Sequence, residues 1–185
     1  MKQIATVALM LSLGVAGVYA QQRPVRMTFS GNGAPSTIDL KHPNSSTSEE
    51  NVVGNGTLGP FTFRDVRAAA NSPQPSSACA GVFFPSVAGG GILRFQDGSL
   101  LKVNLTGGGD CIDFSAQEAL CTRIFQIIGG TGRFKNASGT VTLTMTLAPV
   151  LADASNNPVF FAVTGKFTGT IYGIAMQVEP QVAQP

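Results

Sequence analysis

Two groups of residues in this 185-residue chain have types suited to chemistry: the cysteines Cys79, Cys111 and Cys121, and the carboxylates Asp110, Asp113 and Glu118. A nucleophilic thiol needs a neighbouring base. The one histidine, His42, sits in a polar stretch beside Pro43 and reads as a solvated loop residue. A single histidine also excludes multi-histidine metal sites. Clustered carboxylates suit Ca²⁺, but these three lack a calcium-loop spacing, and Gly107-Gly108-Gly109-Asp110 reads as a solvated turn. Gly129-Gly130-Thr131-Gly132 follows an apolar segment as a phosphate-binding loop would. Such a loop must open a helix, whereas here Lys135 to Gly139 leads into the alternating segment Thr140–Leu147. The glycines therefore serve tight connections between strands. No metal and no cofactor is expected. Arg94, Lys102, Arg123 and Arg133 lie on or beside apolar segments. Facing outward they are solubilising charges; one facing inward would mark an anionic ligand site, because a buried charge needs a partner.

The segments that must carry these residues repeat with period two. In Thr140–Leu147, Val141, Leu143, Met145 and Leu147 take one face and four threonines the other, the pattern of a half-buried strand. Val25–Phe29, Phe61–Val66 and Lys166–Tyr172 read alike, while Leu120–Ile128 and Val159–Thr164 are continuous enough for strands covered on both faces. Asp113–Leu120 has room for one short helical turn. Between Leu93–Phe95 and Leu101–Leu105, a three-residue loop Gln96-Asp97-Gly98 keeps one apolar face by pairing Leu93 with Leu101 and Phe95 with Ser99. It places Gly98 at the left-handed position. Residues 31–51 and 71–86 read as long irregular loops.

Met1 to Ala20 has a charged start, an uncharged run from Ile4 to Val18 and small residues before Gln21, which is the order of an export signal. The expected organisation is a signal peptide over 1–20 and one all-β domain over 21–180, secreted or periplasmic, with no membrane span. Removing the signal leaves 11 Lys+Arg against 10 Asp+Glu, too balanced for a nucleic-acid partner. In an oxidising compartment thiols pair. The ten-residue spacing favours Cys111–Cys121, since short loops close most often. Pairing of Cys79 with either remains open.

Gly129-Gly130-Thr131-Gly132-Arg133-Phe134, followed by Ala137-Ser138-Gly139 and an alternating strand, resembles a segment of dirigent proteins and allene oxide cyclases. The likeness covers about 20 residues and rests on Gly129, Gly130, Thr131, Gly132, Phe134 and Gly139. Beyond it, the chain looks most like small bacterial exported proteins of this barrel type. The resemblance implies an antiparallel barrel of about eight strands, allene-oxide-cyclase-like, with a central pocket for a small hydrophobic ligand and assembly as a homo-trimer. Family pockets are lined by acidic, Arg, Tyr or Asn residues; Arg123 and Tyr172 are the candidate pocket residues here, and no carboxylate aligns with a catalytic position.

Three functions follow. The first is a non-enzymatic exported binding or structural protein, because no nucleophile–base pair or metal cluster is present. The second is an isomerase, cyclase or dirigent-like pocket acting on a small hydrophobic molecule. The third is an assembly protein that pairs through strand edges or cysteines. An inward carboxylate beside Arg123 or Tyr172 favours the second, and a lumen filled by Phe and Leu favours the first or third.

Overall fold

The computed structural model describes residues 22–175. The expected signal segment and the last ten residues lie outside that range. Eight strands follow one another: β1 (Arg23–Pro35), β2 (Ser45–Gly56), β3 (Phe61–Ala70), β4 (Val82–Phe95), β5 (Leu100–Asp113), β6 (Glu118–Gly130), β7 (Ser138–Ala152) and β8 (Pro158–Tyr172). Each pairs antiparallel with the next, and β8 pairs with β1, so the sheet closes into a barrel without a free edge. This is the expected all-β antiparallel barrel. No helix among the described residues is long and apolar enough to cross a membrane.

Alternation decides what faces the lumen. Along β7, Val141, Leu143, Met145 and Leu147 are buried, as their spacing predicts. The β4–β5 hairpin has the predicted register: Leu93 faces Leu101, Phe95 N–H donates to the Ser99 carbonyl, and Gly98 takes φ +80°. Other expectations need correction. Residues 31–51 are not one loop: β1 extends to Pro35 and β2 starts at Ser45. Residues 71–86 are irregular only as far as Gly81. Strand β6 is not covered on both faces, since Leu120, Ile124 and Ile128 point out and are exposed. Asp113–Leu120 holds no helical turn: Asp113 ends β5, Glu118–Leu120 open β6, and residues 114–117 form the turn between them.

One end of the barrel is packed shut. Phe63 and Phe167 meet edge to face at 5.1 Å, Phe29 lies 5.2 Å from Phe167, and Phe95 lies 4.7 Å from Phe134. Phe134 comes from a short 3₁₀ turn, Gly132–Phe134, supplied by the glycine motif. The motif latches the turn onto the β4–β5 hairpin: Thr131 N–H donates to the Leu100 carbonyl at 2.9 Å and Leu100 N–H to Thr131 Oγ1 at 3.1 Å. Glycine is required at 132, where φ is +55° and a Cβ would stand 2.3 Å from Ser99 Oγ. Arg133 covers the plug, its guanidinium 4.6 Å from the Phe134 ring and 4.9 Å from Phe95, with Nε 3.1 Å from Asp97 Oδ2.

The disulfide is Cys79–Cys111, with Cα atoms 5.5 Å apart, and Cys121 is free and buried. The expected Cys111–Cys121 bridge is therefore wrong, and strand parity explains why. Cys121 faces Asp110 across the β5–β6 ladder while Cys111 faces Leu120. Asp110 and Cys121 point into the lumen, so Cys111 points out, where it meets Cys79 in the 71–81 connection. Sequence proximity put the two thiols on opposite sides of one sheet.

Phe134→Ala should lower unfolding free energy by about 3–5 kcal/mol; Ile128→Ala, on the outer face, should change it by no more than about 0.5 kcal/mol. Chemical denaturation measures both. Thiol labelling should leave Cys121 unmodified until the chain unfolds, with a Cys79–Cys111 peptide in the non-reducing map.

Candidate functional site

Above the phenylalanine plug the lumen carries charge. Glu50, Asp65, Arg67, Asp110 and Arg123 are the buried charged residues among those described. They come from β2, β3, β5 and β6, and each arrives through strand alternation. Asp65 and Arg67 continue the inward face of Phe61 and Phe63, and Glu50 sits opposite Asp65 in the β2–β3 register. Arg123 shares its face with Cys121, Phe125 and Ile127. Asp110 is inward because the β5 register shifts between Leu105 and Gly107, moving the inward set from odd to even positions. Gly91 makes room for the layer, as a Cβ there would lie 2.4 Å from the Phe63 ring and 2.8 Å from Asp65 Cβ.

Arg123, with no exposed surface, organises the layer. Its Nη2 donates to Glu50 Oε1 at 2.7 Å, and its Nη1 donates to Glu50 Oε2 and Asp65 Oδ2, both at 2.8 Å. Arg67 pairs with Asp110, and its Nε lies 3.9 Å from Glu50 Oε1. Burial pushes Glu50 up, but the charge and hydrogen bonds of Arg123, with help from Arg67, outweigh it and hold Glu50 down at about 2. Asp65 goes the other way: burial and then the adjacent Glu50 charge raise it well above the usual carboxylate range. The two carboxyls are thus pushed apart, Glu50 toward its ionised form and Asp65 toward its protonated one. Burial, then the Asp110 charge, push the Cys121 thiol up, so it stays protonated.

Over this layer the barrel opens. A cavity of about 360 Å³ is floored by Glu50, Arg67 and Asp110 and walled by Phe84, Ile112, Ala119, Leu147 and Phe161. A second cavity, about 640 Å³, shares Ile112, Ala119, Leu147, Pro158 and Phe161 with it and reaches between the β5–β6 and β7–β8 hairpin tips. Arg123 is thus inside the barrel but beneath the cavity floor. Tyr172 is not with it: it ends β8 at the closed end, 36% exposed. The Arg123 guanidinium is already engaged by the carboxyl groups of Glu50 and Asp65. Asp110 is buried in this floor and is not the solvated turn residue its glycine-rich approach suggests. Asp113 and Glu118 lie apart from it at the mouth, where Asp113 accepts the backbone N–H groups of Ser115 and Ala116.

Asp65 sits above its unfolded value, so its protonation favours the fold. That stability is complete below about pH 4 and drains as pH rises toward the raised value, by up to about 1.4 kcal/mol per pH unit. Glu50 has the opposite sign: its contribution is present above its ordinary value and lost as pH falls from about 4.5 toward 2. Between pH 5 and 8 Glu50 is silent, so wild type should melt several degrees lower at pH 8 than at pH 5, whereas Asp65→Asn should be nearly flat. Thermal melts followed by far-UV circular dichroism test this, and equal slopes for the two proteins would refute the assignment.

No protein-family model and no curated protein matches this chain. Among solved structures it is similar to two pterocarpan synthase dirigent proteins. PsPTS1 aligns with a TM-score of 0.48 and 11% identity, covering 84% of this chain and 97% of that one. GePTS1 aligns with a TM-score of 0.46 and 14% identity, covering 92% and 100%.

Proposed function

We propose that this chain is a non-catalytic binding or guiding protein, acting after export, that holds a small hydrophobic molecule in the open end of its barrel. The observation carrying this reading is a blind cavity with apolar walls, Phe84, Ile112, Leu147 and Phe161, over a floor of Glu50, Arg67 and Asp110. Such a site buries an apolar body while a few fixed polar groups orient one end of it. Internal ion pairing leaves those groups without a free nucleophile, which supports holding over covalent chemistry. The disulfide is compatible with an oxidising compartment. The trimer implied by the family resemblance would need an outer contact face, and the exposed stripe Leu120, Ile124 and Ile128 on β6 is a suitable one.

A second reading has its own observation. Glu50 and Asp65 are inward carboxylates bonded to Arg123, the arrangement that favours an isomerase or cyclase. Neighbouring carboxyls whose surroundings push their proton affinities in opposite directions can give and take a proton. Of the two, only Glu50 reaches the cavity floor, so the exchange would run through it.

The chain has no tryptophan, so an added fluorophore reports cleanly. The neutral probe N-phenyl-1-naphthylamine should bind with about one-to-one stoichiometry and enhanced emission. Ala119→Trp, which fills the space common to both cavities, should weaken it at least tenfold while the far-UV spectrum is kept. Undiminished binding to that variant would sink the cavity reading. Recovery of chemically altered ligand would favour the second reading over the first.

A further inference from the structure

The open end of the barrel is apolar on its outside as well as within. Every residue of the β7–β8 hairpin from Ala148 to Val159 is exposed. Exposed hairpin tips ordinarily carry charged and polar side chains. This one carries Pro149, Val150, Leu151, Pro158 and Val159 with a single ionisable side chain, Asp153. That carboxylate is engaged by its own turn. Its Oδ1 accepts the backbone N–H groups of Ser155 and Asn157 at 2.9 and 2.8 Å, and its Oδ2 accepts from Asn157 Nδ2 at 3.2 Å. Asp153 N–H donates to the Asn157 carbonyl, and Asn156 N–H to the Asp153 carbonyl. A tip that satisfies its own polar groups leaves bulk water at reduced cost.

The neighbouring tip has the same character. Phe114, in the β5–β6 turn, is 69% exposed, the most of any large apolar side chain among the described residues, and Leu151 follows at 60%. Ile38 extends the apolar rim onto the β1–β2 connection. Phe114, Val150 and Leu151 also line the 640 Å³ cavity. The apolar surface therefore runs from the cavity wall to the outside without a break. A protein seated on this rim would stopper the cavity, whereas a bilayer would open it onto hydrocarbon. The wall below sets the depth. There β7 turns Thr142, Thr144 and Thr146 outward and β8 turns Lys166 outward, so apolar contact ends at the tips. Charge sets the kind of lipid. Around the mouth Lys41 and His42 stand against Asp39, Asp113, Glu118 and Asp153. An anionic headgroup layer repels such a rim, while phosphatidylcholine and phosphatidylethanolamine present an ammonium group outermost.

We propose that the mouth docks on the surface of a zwitterionic lipid bilayer, with the β7–β8 hairpin and Phe114 seated at the boundary of headgroups and acyl chains. Affinity of this kind scales with the apolar area buried. A hydrophobic ligand then passes between bilayer and cavity without crossing water. Docking goes beyond ligand binding by the cavity, and each is measured without the other.

The exported chain should float with phosphatidylcholine vesicles, and replacing part of the lipid by phosphatidylglycerol should weaken the binding. Leu151→Trp, in a chain without tryptophan, should keep that binding, emit further to the blue on vesicles and be quenched by lipid brominated on its acyl chains. Ile92→Trp, on the outer wall toward the closed end, should show neither change. Phe114→Ser combined with Leu151→Ser should lower vesicle affinity at least tenfold with an unchanged far-UV spectrum. Absence of flotation, binding to phosphatidylglycerol vesicles alone, or equal affinity of the double-serine variant would overturn the assignment. So would a dimer that the double-serine variant turns into monomer while neither protein binds vesicles, since the rim would then hold a second copy. Binding of N-phenyl-1-naphthylamine in vesicle-free solution separates the two readings: probe binding without flotation sinks docking alone, and flotation without probe binding sinks the ligand cavity alone.

Discussion

Five charged side chains held in a barrel lumen must balance one another almost without water, and the rest of the architecture is arranged around that requirement. Arg123 is the fixed point. Its fork grips Glu50 on β2 and Asp65 on β3 from across the lumen, and Arg67 extends the network to Asp110 on β5. Removing one member of such a network strands the others, typically at a cost of 3–5 kcal/mol. The layer also divides the barrel: phenylalanines with Leu, Val, Ile and Met side chains fill the lumen toward the closed end, and the space toward the mouth remains open.

That division explains why the two sequence criteria for function are both met. A lumen filled with Phe and an inward carboxylate beside Arg123 point to different functions, yet each describes one half of the same barrel. The glycine motif belongs to the filled half. Gly132 and Thr131 seat Phe134 as the plug, and Arg133 covers it from outside. The motif therefore reports on barrel closure and not on the cavity, which lies at the other end.

The fold was readable because alternation is a local property: Val141, Leu143, Met145 and Leu147 declare their face without reference to other strands. Part of the site was readable on the same terms. Asp65 follows Phe61 and Phe63 at the same parity, so a carboxylate at a core position was visible in β3. Arg123 shares parity with Phe125 in the same way. Glu50 was hidden by its polar surroundings, Ser45 to Glu49, which disguise a strand as a loop. Asp110 was hidden by the bulge after Leu105, which reverses parity in the middle of β5.

The parity that separates Cys111 from Cys121 also selects among the possible disulfides. Before β5 and β6 pair, all three thiols are equivalent and the nearest two meet most often. Once the ladder forms, Cys121 is sealed inside the lumen and only Cys79 can reach Cys111. The barrel thus selects its own bridge, because a Cys111–Cys121 crosslink would tie together two side chains that the sheet sends to opposite faces.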